Sequence, residues 1–177
     1  YDDLELVYLD RGTFFGDGVY EVLRSYNGKL FALDEHLERF RRSLKEVNIT
    51  GVDLKKIREK VISAFKEADI SNARIYFHIT RGSAPRTHDW DEKIEPNFFM
   101  TINQLSSAEQ LKKEGIKLCT HPDWRWKRCD IKSLNLLPNV MARQYAVKQG
   151  CSEAVLVNDQ GLITEGAASA RFTIKDG

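Results

Sequence analysis

Little in this sequence marks a redox, membrane or nucleic-acid-binding protein. Only three cysteines occur, Cys119, Cys129 and Cys151. An odd number without CxxC spacing argues against a disulfide framework and reads as reduced thiols in a cytosolic protein. Cys119, His121 and Cys129 fit no standard zinc spacing, so no metal site is expected. No apolar run approaches membrane-spanning length, and the acidic start Tyr1-Asp-Asp-Leu-Glu5 is not a signal peptide. With 27 Lys and Arg against 26 Asp and Glu, the net charge is +1, which lacks the cationic excess of a general polyanion binder. Trp124-Arg-Trp-Lys-Arg128 mixes aromatic and basic residues, as single-stranded nucleic-acid surfaces do, but no second such segment accompanies it. GxSxG, Walker A and GxGxxG in its proper context are absent, as are internal repeats and low-complexity stretches.

What is present is a folded chain. At 177 residues and 42% hydrophobic content, it suffices for one ordinary domain or two small ones. Val19 to Tyr26 and Lys29 to Leu33 flank Asn27-Gly28, the favoured two-residue hairpin turn. Asp34 is positioned to cap a helix to about Val47, with Leu37, Phe40, Leu44 and Val47 as its apolar stripe. Asp53 starts a second helix carrying Leu54, Ile57, Val61, Phe65 and Ala68. Strands are expected over Arg74 to Thr80 and Asn97 to Ile102. Residues 1–103 thus form an N-terminal α+β domain. The polar stretch 104–110 is the linker, and 111–177 is the start of a second domain. That domain is expected to hold strands near Ile116 to Thr120, Glu153 to Val157 and Arg171 to Ile174, and a helix from about Asn135 to Gln149. The chain opens without Met and stops at Lys175-Asp-Gly177, a turn signal that leads into a returning strand, so it is expected to be part of a longer polypeptide.

Several residues stand out chemically. Lys132 lies in Arg128-Cys-Asp-Ile-Lys-Ser-Leu-Asn135, just before the expected helix. Glu165 sits in Thr164-Glu-Gly-Ala-Ala-Ser169, at a strand-to-turn junction. Such a pair suits an aldehyde cofactor, because an amine condenses with the carbonyl while an acid keeps a proton on a ring nitrogen. Arg11-Gly-Thr-Phe-Phe-Gly-Asp-Gly-Val-Tyr-Glu21 packs three glycines into a turn before a strand, with Tyr20 at its start. This arrangement suits close approach of a ligand to the backbone, and equally a tight hairpin entry. In Arg81-Gly-Ser-Ala-Pro-Arg-Thr-His88, Arg86 and His88 stand two apart. In extended backbone both point one way and can grip a carboxylate; the same residues also suit a solvated loop. Arg39 adjoins the apolar stripe of its helix, within reach of a phosphate or simply snorkelling, while Arg41, Arg42 and Lys45 lie nearer solvent.

Taken in order, these blocks resemble the class IV (fold type IV) pyridoxal-phosphate aminotransferases, most closely the D-amino-acid subgroup. The resemblance runs through Arg11-Gly12, Phe15 to Val22, Tyr26-Asn-Gly28, Glu35-His36 with Arg39, Ile75-Tyr-Phe77, Thr80-Arg-Gly82, Pro85-Arg86 and His88. It continues in Arg128 to Leu137, Gly150-Cys151 and Thr164-Glu-Gly166. It implies an α+β, two-domain fold whose second domain is incomplete here, since the family's glycine-isoleucine-threonine phosphate loop lies beyond Gly177. By resemblance, Lys132 is the Schiff-base lysine and catalytic proton carrier, Glu165 the acid at the pyridine nitrogen, and Arg39 a phosphate ligand. Ala168 and Ser169 then belong to the cofactor cup, while Tyr20, Arg86 and His88 form the trap for the substrate α-carboxylate. In that family the arginine and histidine of the trap come from the neighbouring subunit, which implies a homodimer; the resemblance implies an amino acid and a 2-oxo acid as substrates, and the cysteine usage a cytoplasmic protein. Aminodeoxychorismate lyase and the branched-chain L-amino-acid aminotransferases share the fold, and a non-catalytic fragment is a further alternative; the Arg86-His88 pair favours the D-amino-acid subgroup. Ala167 to Arg171 depart from the family's serine-rich run. Loss of a hydroxyl at Ala168 is expected to weaken the cofactor cup, and Arg171 replaces a residue that is usually apolar.

Overall fold

A computed structural model describes residues 9–106 and 108–176. Tyr1 to Glu5, Ser107 in the expected linker and Gly177 of the terminal turn lie outside the described residues. The chain divides into two compact units. One holds the described residues up to Ser106 together with Asp130–Asn135; the other holds the rest. The expected linker 104–110 is narrowed by a strand that runs through Gln104 and a helix that begins at Glu109, and Asp130–Asn135 packs with the first unit and not with its neighbours in sequence.

The first unit opens on a feature that the glycines concealed. Arg11–Phe15 is a short helix, α1, not part of an irregular turn. Asp10 caps it by accepting from the Gly12 amide (2.6 Å), and Gly16 ends it in left-handed backbone (φ 67°). Strand β1 (Gly18–Tyr26) then alternates, with Val19, Glu21, Leu23 and Ser25 buried and Tyr20, Val22 and Arg24 turned to the other face. Asn27 and Gly28 both take positive φ and turn the chain into β2 (Lys29–Leu30), as a two-residue hairpin requires.

That second strand is shorter than expected. Ala32 adopts left-handed backbone (φ 53°), and Leu33 already begins helix α2 (Leu33–Glu46). Asp34 is therefore not the cap. It sits in the helix's first turn, where the macrodipole favours an acid, and its carboxylate accepts from Arg58 Nε (2.9 Å). Helix α3 (Leu54–Ala68) does start on Asp53, which accepts from the Lys55 and Lys56 amides. Strands β3 (Ala73–Thr80) and β4 (Asn97–Gln104) complete an antiparallel sheet in the order β2-β1-β3-β4. The two helices cover one face of it, with Phe40, Val61, Leu23, Ile75 and Phe77 at the centre of the core.

In the second unit, α4 (Glu109–Glu114) precedes β5 (Leu118–Pro122). β5 pairs in parallel with β6 (Glu153–Val157), and α5 (Leu137–Lys148) lies in the crossover that a parallel pairing demands. β7 (Ile163–Gly166) adds antiparallel to β6 after the turn at Asn158–Gly161. Ala142, Ala146, Cys151, Ala154, Leu156 and Ala167 make a small second core. The strand expected over Arg171 to Ile174 does not form; Phe172 and Ile174 are 91% and 84% exposed, and no described strand pairs with this segment. A two-period sequence alone cannot make a strand without an edge to join. No described helix is long and apolar enough to cross a membrane.

The Phe40 and Phe77 rings meet edge to face at 5.1 Å, and both side chains are fully buried. Phe77→Ala should therefore destabilise the first unit by about 3–5 kcal/mol, seen as a lower urea midpoint. A midpoint equal to the parent's would show that this ring pair does not anchor the core.

Candidate active site

Lys132 is placed by backbone pairing. Ile131 is buried in the first core, the Tyr20 amide donates to the Lys132 carbonyl (2.9 Å), and the Leu134 amide donates to the Gly18 carbonyl (3.0 Å). Segment 131–134 thereby continues along the free edge of β1, and Val19 bridges to Ser133. The Lys132 ammonium lies 4.3 Å from the centre of the Tyr20 ring and forms no salt bridge among the described residues. An amine held on an aromatic face without an anionic partner is available for chemistry. Around it, the outer face of the sheet carries Tyr76, whose hydroxyl shares a 2.8 Å hydrogen bond with His78 Nδ1, and Phe99 stacks on the imidazole. Burial shifts Tyr76 upward and His78 downward in pKa, so that the neutral forms of both are favoured near neutrality.

Arg39 is oriented by a residue that sequence reading left without a role. Glu21 is fully buried on β1, and its two oxygens accept from Arg39 Nε (2.6 Å) and Nη2 (2.7 Å) in a fork. His36 Nδ1 donates to the same carboxylate (2.7 Å). Burial opposes ionisation of Glu21, but the hydrogen bonds and charges of Arg39 and His36 hold its carboxyl below the usual range. The Arg39 side chain stays 42% exposed, and its Nη1 has no partner among the described residues. That is the geometry of a guanidinium fixed on one edge and offered on the other. It fits an oxyanion such as a phosphate.

Arg86 and His88 are exposed and converge on one ring: the guanidinium lies 5.2 Å from the centre of Phe15, and the imidazole 5.2 Å from it. No described hydrogen bond or ring contact joins either residue to Tyr20 or Lys132.

The second unit holds the acid and its turn. Glu165 stands opposite Leu156 near the end of β7, half-buried, and one of its oxygens accepts from the Gly166 amide (3.1 Å). The Gly166 amide also donates to the Ser169 carbonyl (3.1 Å), and a Cβ at Gly166 would collide with that same carbonyl oxygen as well as the Ser169 hydroxyl, so glycine is required to close this turn. Ala168 donates its amide to the buried Glu153 (3.2 Å), a second acid that sequence reading missed because it sits inside an apolar strand. Behind the turn, Asp123 is driven to low pKa by its hydrogen bonds with Arg125, against burial, and by that with Thr164. Arg171 Nε and Nη2 are buried without a described partner, and nothing in the structure explains them.

A family model for class IV amino-transferases matches residues 18–177. The chain belongs to the class IV aminotransferases. It is 42% identical to D-alanine aminotransferase of Staphylococcus epidermidis over 99% of its own length, and 44% identical to that of Bacillus licheniformis over 94%. It spans 63% and 59% of the length of those two relatives. Among solved structures, a branched-chain aminotransferase from Thermoproteus uzoniensis superposes with TM-score 0.79 at 21% identity, covering 94% of this chain and 59% of that one. A 4-amino-4-deoxychorismate lyase from Pseudomonas aeruginosa gives 0.77 at 21% identity, with 90% and 60% covered. These likenesses show the class IV fold, and the shares covered agree with a second domain present only in part.

Because Glu21 has a depressed folded-state pKa, its ionisation adds stability above the ordinary carboxylate range, and that stability is lost as pH falls below about 4. Glu21→Gln should flatten this acid dependence in urea unfolding measured from pH 7 to pH 3. An acid limb as steep as the parent's would mean that the triad does not contribute to it.

Proposed function

We propose that the chain carries the catalytic lysine of a pyridoxal 5'-phosphate-dependent aminotransferase moving an amino group between a D-amino acid and a 2-oxo acid. The observation that carries this reading is the Lys132 amine, held on the Tyr20 ring by the β1 edge and unmatched by a described carboxylate. When bound, pyridoxal phosphate supplies an aldehyde carbon and an electron-accepting ring. Residues of each unit suit it separately: in the first, Arg39 has a free edge for the phosphate, and in the second, we read Glu165 as the acid for the ring nitrogen and Ala168 and Ser169 as backbone of the cup. Lys132 Nζ is the base that takes the proton from the substrate Cα and later returns it. Tyr20, Arg86 and His88 bind the substrate α-carboxylate and so fix which face of Cα meets the lysine.

Two relatives named D-alanine aminotransferase, at 42% and 44% identity, favour D-amino acids. The lyase and branched-chain alternatives are represented by fold likeness at 21% identity. A homodimer in the cytoplasm accords with this reading.

Lys132→Ala should abolish both transamination from D-alanine to 2-oxoglutarate and the visible absorbance that the parent acquires with cofactor. Retained turnover in that variant excludes Lys132 as the base. Arg86→Ala should raise KM for D-alanine by roughly 10- to 100-fold, the worth of a charge-assisted hydrogen bond, with cofactor absorbance intact. An unchanged KM would remove Arg86 from the trap.

A further inference from the structure

A buried ion triad holds the loop that carries Arg86 and His88. Arg11, on α1, is only 2% exposed. Its Nε donates to Asp17 Oδ2 (2.9 Å), its Nη1 to the carbonyls of Thr87 (2.8 Å) and Asp89 (2.9 Å), and its Nη2 to the carbonyl of His88 (3.3 Å). Asp17 also receives Arg81, through Nε to Oδ2 (2.8 Å) and Nη2 to Oδ1 (3.0 Å). The remaining Arg81 donors run to the carbonyls of Val47 (2.8 Å) and Asn48 (3.0 Å) just after α2. Its guanidinium lies 3.9 Å from the centre of the Trp90 ring. Burial alone would make Asp17 harder to ionise, yet the two arginines hold its carboxyl below the usual range.

Three consecutive carbonyls gripped by one guanidinium leave segment 87–89 little freedom, although it has no regular secondary structure. We propose that Arg11 is the positioning residue for the substrate-carboxylate trap, and that Asp17 braces it against Arg81. The grip sets the backbone from which Arg86 and His88 project, so their ordering cost is met by the fold before substrate arrives. The inference rests on the reading of Arg86 and His88 as carboxylate ligands. A lysine at position 11 keeps a charge for Asp17 but lacks the planar fork that spans several carbonyls.

The test is Arg11→Lys in the complete protein loaded with pyridoxal phosphate. KM for D-alanine should rise roughly tenfold, as expected when two side chains must be ordered on binding, while kcat and cofactor affinity change by less than about twofold. Backbone amides of 86–90 should exchange hydrogen faster than in the parent, a readout independent of turnover. Asp17→Asn, which preserves shape and removes the brace, should move KM the same way. In an Arg86→Ala, His88→Ala background, Arg11→Lys should add nothing further to KM, because the groups that it positions are gone. An additive effect there, or a parental KM and exchange rate in Arg11→Lys while Arg86→Ala raises KM, overturns the positioning role and leaves the trap standing. A parental KM in Arg86→Ala instead removes the trap itself, and the positioning role with it.

Discussion

The free edge of β1 governs where chemistry can occur in the first unit. Its later half pairs with β2 at Ser25 and Tyr26, while its earlier half, Gly18 to Tyr20, is left to bind a segment more than a hundred residues downstream. The Ser133 amide closes a tight turn on the Ile131 carbonyl (2.9 Å), and with Ile131 and Ser133 both buried, the Lys132 side chain at its centre is left on the face that carries Tyr20. A slip of one residue would bury the ammonium and expose Ile131. The core thus fixes the register, and the register fixes the lysine.

Buried charge does the remaining positioning. Glu21 and Asp17 would be costly inside a core on their own, since desolvation opposes their ionisation. Glu21 is matched by the Arg39 fork and the His36 ring nitrogen, and Asp17 by the Arg81 fork and Arg11, which makes each arrangement directional as well as tolerable. Glu21 aims Arg39 from behind, whereas Asp17 joins Arg11 to Arg81. Removing one partner from such a set leaves an uncompensated buried charge, so the geometry of these groups is harder to relax than that of any surface pair.

Much of the scaffold was legible from the residues because periodicity and caps are local. The stripe Leu37, Phe40 and Leu44, the Asp53 cap and the Asn27-Gly28 turn all record their own backbone states. Errors arose where a local signal had a nonlocal competitor. Asp34 resembled a cap, but left-handed Ala32 had already started the helix, and Asp34 reached Arg58 instead. Arg171 to Ile174 had strand character without a described edge to join. The glycines at 12, 16 and 18 suggested a turn and hid α1, although Gly18 is needed for another reason: a Cβ there would collide with the Ile79 carbonyl and the Leu134 side chain. Candidate site residues followed the same division. Lys132 and Glu165 could be singled out from their sequence blocks, but Glu21 with Arg39 and Arg11 with segment 87–89 are pairings that no spacing rule reveals.

The small-residue turn after Glu165 illustrates how structure alters the weight of a substitution. A serine-rich run would suggest that hydroxyls shape the cofactor cup, and Ala168 would then be a loss. Here the turn is closed by backbone: the Gly166 amide reaches the Ser169 carbonyl, and the Ala167 amide reaches the Ala154 carbonyl. The Ala168 amide is taken by Glu153, a carboxylate supplied from the neighbouring strand. None of these bonds needs a hydroxyl at 168, so alanine there leaves the conformation of the turn intact and removes only a donor that could point outward. The shape of this turn therefore depends on Gly166, whose missing side chain admits Ser169, and on Glu153, more than on the hydroxyl content of the run.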